Sequence, residues 1–223
     1  MKLAIFDFDG TLFPKDTLPF LLSRWRYLRC SRLAVLKLYL SFIPFFFQYK
    51  FGLFTTLSRE ELKLKAVRMF NPIFDGVTEK ELKEFFSVCS LEIKELLNPV
   101  VLRELQKARD EGFHTVILSG SYQDFLNNIG DQFGVDTVIG SEMYYCDGIF
   151  DSKRELDIVI GELKVKRIID HFGEEEIDWE ASRAYADGYS DLDLLLAVGQ
   201  PIAVNPDSKL KTIAAEKGWK IIV

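Results

Sequence analysis

Leu3-Ala4-Ile5-Phe6-Asp7-Phe8-Asp9-Gly10-Thr11, preceded by Met1-Lys2, is a short apolar run that breaks into two carboxylates and a glycine. A strand covered on both faces of a parallel sheet has this continuous apolar character, so residues 2–8 are expected to form one, with Asp7 and Asp9 at its carboxyl end. Similar runs recur at 115–118, 137–139, 184–186 and 202–204, each bounded by Gly, Ser, Asp or Pro. Helical apolar patterns lie between them, over 100–111, 122–133, 162–171, 191–198 and 208–217. This alternation predicts an α/β fold, a parallel sheet with helices on both faces.

Two stretches break the rhythm. In residues 142–150, Asp147-Gly148 separates two short β-prone pieces, which is a hairpin signal. Residues 17–96 hold amphipathic helical patterns without a convincing strand, and Ser58 and Thr78 each open a capping-box pattern. The expected organisation is therefore an α/β core of residues 1–15 and 98–223, with a helical cap over 16–97 inserted between the first strand and the second. The most apolar part of the insertion, residues 38–54, is interrupted by Pro44, Gln48 and Lys50, so a membrane-spanning helix is not expected. It reads as a cap helix packed on its neighbours, or alternatively as a surface that touches lipid.

The 223 residues are 48% apolar and 28% charged, which suits a globular protein and argues against disorder. Cys30, Cys89 and Cys146 have neither disulfide-framework nor zinc-site spacing. Too few apolar residues precede Asp7 for a secretory signal. A cytoplasmic location is expected, with membrane association as its variant. The net charge of −6 hides a contrast: residues 17–58 contain no acid but include Arg24, Arg26, Arg29, Arg32, Lys37 and Lys50. Such a segment faces something negative, a phosphate or an anionic membrane, and peripheral membrane contact through residues 24–54 follows as an expectation. The acidic total and the lack of a basic stripe on the core argue against nucleic acid. The sequence sets no oligomeric state.

In an open parallel sheet, ligands bind beyond the carboxyl ends of the strands. There the pattern gathers Asp7 and Asp9, Ser119-Gly120-Ser121, Asp187 to Asp191, and Asn205, with Lys164 or Lys166 at the start of a helix. A carboxylate cannot easily approach a phosphate dianion, because the charges repel at short range. A magnesium ion held by Asp7, Asp187 and a backbone carbonyl would offset that repulsion. The lysine would neutralise further charge on a transferring phosphoryl group, and Ser119 with nearby backbone N–H groups, Gly120 among them, would hold its oxygens. Asp7 could then attack phosphorus while Asp9, two residues on and on the same side, protonates the leaving alcohol.

Asp7-Phe-Asp-Gly-Thr-Leu-Phe13, Ile117-Leu-Ser-Gly-Ser121, Gly161-Glu-Leu-Lys164 and Ala186-Asp-Gly-Tyr-Ser-Asp191 occur in the order of the haloacid dehalogenase-like superfamily, and the chain resembles its phosphoserine phosphatase-like branch. The resemblance covers residues 1–15 and about 98–223 well, and the cap only in placement and helical character. It implies a Rossmann-like core and a magnesium-dependent phosphatase. Asp7 then matches the nucleophile, Asp9 the acid/base and metal-binding carbonyl, Ser119 the phosphate-binding hydroxyl, Asp187 the metal-binding acid and Asp191 its support. Gly161-Glu-Leu-Lys-Val165 resembles the branch's Gly-x-x-Lys-Val pattern, which favours Lys164 over Lys166. Asp16 is either the N-cap of the first cap helix or, as a nearby acid does in related phosphatases, a contact to the substrate. Asp9 separates phosphatases from the dehalogenases, which lack a second acid there.

The cap is where the resemblance thins. Phosphoserine phosphatases read their amino acid with a cap acid and an arginine, for which Arg68 is the available candidate. The expected substrate is a small phosphorylated metabolite such as phosphoserine. The alternatives are a phospholipid head group hydrolysed at a membrane surface, or a non-catalytic protein that binds membranes or anions on the same fold. Asn205-Pro206-Asp207 reads as a turn and a cap for the last helix, and neither His114 nor His171 is needed for chemistry.

Overall fold

The structure, a computed structural model, describes residues 1–28 and 59–223. The expectations for 38–54, for most of the basic stretch 24–54 and for the Ser58 cap fall outside the described residues. In chain order the elements are β1 (Leu3–Phe6), α1 (Thr17–Leu28), α2 (Arg59–Phe70), α3 (Glu79–Ile93), α4 (Pro99–Asp110), β2 (His114–Tyr122), α5 (Gln123–Phe133), β3 (Thr137–Ser141), β4 (Tyr145–Cys146), β5 (Ile149–Phe150), α6 (Leu163–Phe172), β6 (Arg183–Ala186), α7 (Leu192–Ala197), β7 (Gln200–Val204), α8 (Ser208–Glu216) and β8 (Lys220–Ile222).

The main sheet has six strands in the order β3-β2-β1-β6-β7-β8, and its pairs are parallel. β1 is central, with every residue buried, as its unbroken apolar character requires. The chain winds outward from β1 through β2 and β3 on one side and through β6, β7 and β8 on the other. The point of reversal therefore lies beside β1, where open α/β sheets bind ligands. Alternate residues of β1 feed two cores. Ala4 and Phe6 join a cluster with Val101 and Leu105 of α4, Phe125 and Leu126 of α5, and Phe86 of α3. Leu3 and Ile5 join the opposite cluster, with Ile168 of α6, Leu194 of α7 and Leu210 of α8.

α1, α2 and α3 lie between β1 and β2 in sequence. Leu21 and Trp25 of α1, Val67 and Phe70 of α2, and Leu82 and Phe85 of α3 belong to the first cluster, so one apolar core runs from the sheet into these helices. Thr78 caps α3 with the expected reciprocal box, its hydroxyl accepting from Glu81 N while the Glu81 carboxylate accepts from Thr78 N. The hairpin forms as expected, with Asp147 (φ 50°) and Gly148 (φ 74°) in the left-handed region. It braces α3: Glu79 N donates to Gly148 O at 2.8 Å, and Phe150 N to Val77 O at 2.9 Å.

Three differences from the sequence expectation have physical causes. β2 runs through Ser119-Gly120-Ser121, beyond its apolar run, because Tyr122 pairs with Ser141 across a register shift. β8 carries no clear sequence signal, since an edge strand reading Lys220-Ile221-Ile222 offers too short an apolar run to be told from a helix end. The helix after Asp187 begins at Leu192, since Tyr189–Asp191 form a turn of 3-10 helix.

Candidate active site

Strand register sets the site. Phe6 is level with Ile117 of β2 and with Tyr185 of β6, so Asp7, Ser119 and Asp187 emerge together at the carboxyl edge. Asp7 N donates to Tyr185 O at 2.9 Å, which carries the β1–β6 ladder up to the first carboxylate. The chain then doubles back: Phe13 N donates to Phe8 O at 2.8 Å and Gly10 N to Phe13 O at 2.7 Å. Gly10 has φ 82°, and a Cβ there would come within 2.3 Å of Asp187 Oδ2. Only glycine lets the turn lie against that carboxylate.

Lys164 reaches this edge from α6. Gly161, at φ 55°, turns the chain, and Lys164 N donates to Gly161 O at 3.0 Å. Its side chain is buried, with Nζ 2.7 Å from Asp7 Oδ1 and 2.5 Å from Asp191 Oδ1. Burial disfavours its charge, but Asp191 and Asp7 more than offset this, and the ammonium pKa is raised. Burial likewise raises the Asp7 carboxyl, against the pull of Lys164. Lys166, about half a helical turn further along α6, is exposed.

Asp9 takes a different environment. Its Oδ1 accepts from Thr17 N at 3.0 Å and from the Thr17 hydroxyl, so Asp9 holds the first amide of α1. Burial pushes its carboxyl up to about 7, opposed by the Lys63 ammonium and the Thr17 hydrogen bond. Asp16 is exposed, and its charge adds to the rise at Asp9. Ser119 is buried on β2, its hydroxyl accepting from Ser121 N at 3.3 Å. A Cβ on Gly120 would meet Ile160 Cγ2 at 2.8 Å, so this glycine is demanded by packing as well.

Asp7, Asp187 and Asp191 each offer a carboxylate oxygen, all within 4.8 Å of one another. Such a set repels itself; Lys164 offsets part of that repulsion at Asp7 and Asp191, and a hard divalent ion, which takes oxygen ligands of this kind, would offset more. Asp7 Oδ2 is buried and accepts no hydrogen bond among the described residues. The residues present fit a magnesium ion.

Lys63 and one of the two roles of Asp207 were not legible in the sequence. Lys63, on α2, interacts electrostatically with Asp7, Asp9 and Asp191. Burial disfavours its charge, yet these carboxylates raise its pKa. No motif spacing announces it, because α2 and the acids at the sheet edge are far apart in sequence. Asp207 caps α8 by accepting from Leu210 N at 2.9 Å, as expected, and also accepts from Tyr189 N at 2.9 Å, while its own N–H donates to Asp187 O. It thus braces the loop from Asp187 to Asp191. Arg68 pairs with Glu155 at the surface.

Residues 4–196 match the family described as haloacid dehalogenase-like hydrolase. The chain is 28% identical over 227 residues to the inhibition of morphological differentiation protein of Streptomyces azureus, an alignment spanning 98% of this chain and 77% of that one. It is 29% identical over 120 residues to phosphoserine phosphatase SerB1 of Mycobacterium tuberculosis, over 53% of this chain but 39% of that relative. A crystal structure of a protein with unknown function from Bordetella pertussis Tohama I superposes with TM-score 0.81 at 22% identity, covering 100% of this chain and 98% of the other, a likeness of fold.

Proposed function

Because the chain belongs to the haloacid dehalogenase-like hydrolases, we propose that it is a magnesium-dependent phosphatase that hydrolyses a phosphate monoester through an aspartyl-phosphate intermediate. The observation that carries this reading is the cluster at one sheet edge, in which buried Lys164 Nζ lies 2.7 Å from buried Asp7 Oδ1, beside half-buried Asp187 and buried Asp191. Asp9 stands two residues away in a separate environment. Bound magnesium supplies charge neutralisation at the phosphoryl oxygens; Asp7, Asp187 and the Asp9 carbonyl hold it, supported by Asp191.

Asp7 attacks phosphorus with one carboxylate oxygen, forming the aspartyl P–O bond as the bond to the leaving alcohol breaks. Asp9 gives its proton to the leaving oxygen. Water then attacks the aspartyl phosphate, Asp9 takes a proton from it, and phosphate leaves with Asp7 restored. Ser119, the Gly120 N–H and Lys164 hold the phosphoryl oxygens throughout. Residues 16–97 act as the cap over residues 1–15 and 98–223, with Asp16 at the rim where a leaving group enters.

The substrate is a small phosphorylated metabolite, and likeness to a phosphoserine phosphatase puts phosphoserine among those to try. A phospholipid head group is the second reading, favoured by the acid-free stretch 17–58 with its six cations, Arg24, Arg26, Arg29, Arg32, Lys37 and Lys50. In a binding protein without catalysis Asp9 would serve only to hold the α1 amide through Thr17. Among the described residues no helix is long and apolar enough to cross a membrane.

The deciding experiment is phosphate release from an aryl phosphate and from a panel of phosphorylated metabolites and lipid phosphates. Wild-type protein is expected to turn over with magnesium and fall silent with EDTA. Asp7→Asn is expected to lose at least about 10³-fold in rate while staying folded. Undiminished turnover in that variant overturns the nucleophile, and indifference to EDTA overturns the metal. Salt-sensitive co-sedimentation with anionic liposomes tests the lipid reading, and its absence sets that reading aside.

A further inference from the structure

Three residues past Ser119, Tyr122 enters a nest of phenylalanines. Its ring stacks on Phe86 with centroids 5.6 Å apart, meets Phe74 edge-on at 5.8 Å and tilts against Phe70 at 6.4 Å. Phenylalanine would pack there equally well, yet the residue carries a hydroxyl, and the side chain is only 2% exposed. That hydroxyl donates to Asn71 Oδ1 at 2.7 Å, and Asn71 is itself 5% exposed. A buried polar pair inside an apolar cluster adds little net stability, because two apolar groups of the same shape would serve about as well. What it supplies is direction: one hydrogen bond of fixed length and angle where rings alone could slide.

The elements joined this way are informative. Tyr122 ends the strand that carries Ser119 and Gly120. Asn71 opens the 3-10 turn Asn71–Phe74 directly after α2, the helix whose Lys63 ammonium interacts electrostatically with Asp7 and Asp9. We infer that Tyr122 and Asn71 are positioning residues, whose buried hydrogen bond fixes α2, and with it Lys63, in register over the phosphate end of the site. The inference rests on the phosphatase reading of that site.

The test uses the full chain, magnesium and an aryl phosphate, and compares Tyr122→Phe, the double apolar swap Asn71→Leu with Tyr122→Phe, Lys63→Met, and their combinations. Tyr122→Phe alone leaves the Asn71 Oδ1 buried without its donor, so its melting temperature is expected to fall; the double swap recovers most of that fall. The positional defect should not recover with it. Both variants are expected to show KM raised about fivefold with a smaller change in kcat, and Lys63→Met should matter less in either background than in wild type. A double swap with wild-type melting temperature, wild-type KM and undiminished sensitivity to Lys63→Met overturns the inference and leaves the pair a packing detail. If wild-type protein releases no phosphate from any ester, the phosphatase reading has failed instead, which the same assay shows before any variant is compared.

Discussion

Asp7 and Asp9 are alike as sequence and unlike as residues in place. Asp7 is tied to Lys164 at 2.7 Å and shares its corner with Asp187 and Asp191, whereas Asp9 holds the α1 amide through Thr17. Their proposed tasks follow from these surroundings, and a leaving-group comparison separates them. Asp9→Asn is expected to slow an alkyl phosphate by about 10²–10⁴-fold and an aryl phosphate much less, since a phenolate departs without a proton. Equal losses on both esters would argue that Asp9 does not donate it. Gly10 makes a second prediction at this scale. Its φ is 82°, and an added Cβ would lie 2.3 Å from Asp187 Oδ2. Gly10→Ala should therefore destabilise by ~1–3 kcal/mol and displace the Asp187 carboxylate, read as a raised magnesium requirement. The carboxylates, Ser119 and the motif around Lys164 were legible in the sequence because strand ends and glycine turns are local features. Lys63 was not, because nothing within α2 says which distant charges its side chain meets.

Between elements, a few side chains set how strands and loops meet. Asp136, just before β3, accepts from Thr115 N at 2.8 Å and from Thr115 Oγ1 at 2.7 Å, pinning β2 to β3. Burial opposes its charge, but the bonds to the Thr115 amide and hydroxyl prevail, aided by His114 and Arg109, and its pKa is lowered. A carboxyl lowered on folding stabilises above its unfolded pKa of about 4, and that stabilisation is lost as pH falls through the folded value. Asp136→Asn should therefore flatten the acid side of the stability–pH curve, below about pH 4, in denaturant titrations; an unchanged slope there would deny the pin. Asp207 works at the same scale, since it caps α8 and also braces the Asp187 loop. Asp207→Ala is expected to lose about 1 kcal/mol from the cap and, beyond that, to weaken magnesium-dependent turnover. Its capping role was readable from Asn205-Pro206-Asp207, but its second role depends on β7 lying beside β6, which no local pattern states.

Across the whole molecule, the clustered acids at one sheet edge make stability depend on the ion that suits them. Asp7, Asp187 and Asp191 place oxygens within 4.8 Å of one another, so magnesium should bind the folded chain and hardly the unfolded one. At a hundredfold excess over Kd it should add about 2.7 kcal/mol, a rise of several degrees in Tm that EDTA reverses. A Tm indifferent to magnesium would count against the site even if activity were found by other means. At this scale the sequence by itself determined the α/β class, the position of β1 as a buried strand and the order of the motifs. It could do so because apolar periodicity, caps and glycine turns depend on residues close in the chain. Only the tertiary structure decided that Lys164, the lysine the sequence motif favours, sits between Asp7 and Asp191, that the Lys63 ammonium acts on the acids, and that Tyr122 reaches Asn71. Those contacts join residues far apart in sequence, and their geometry is set by how helices pack on a twisted sheet.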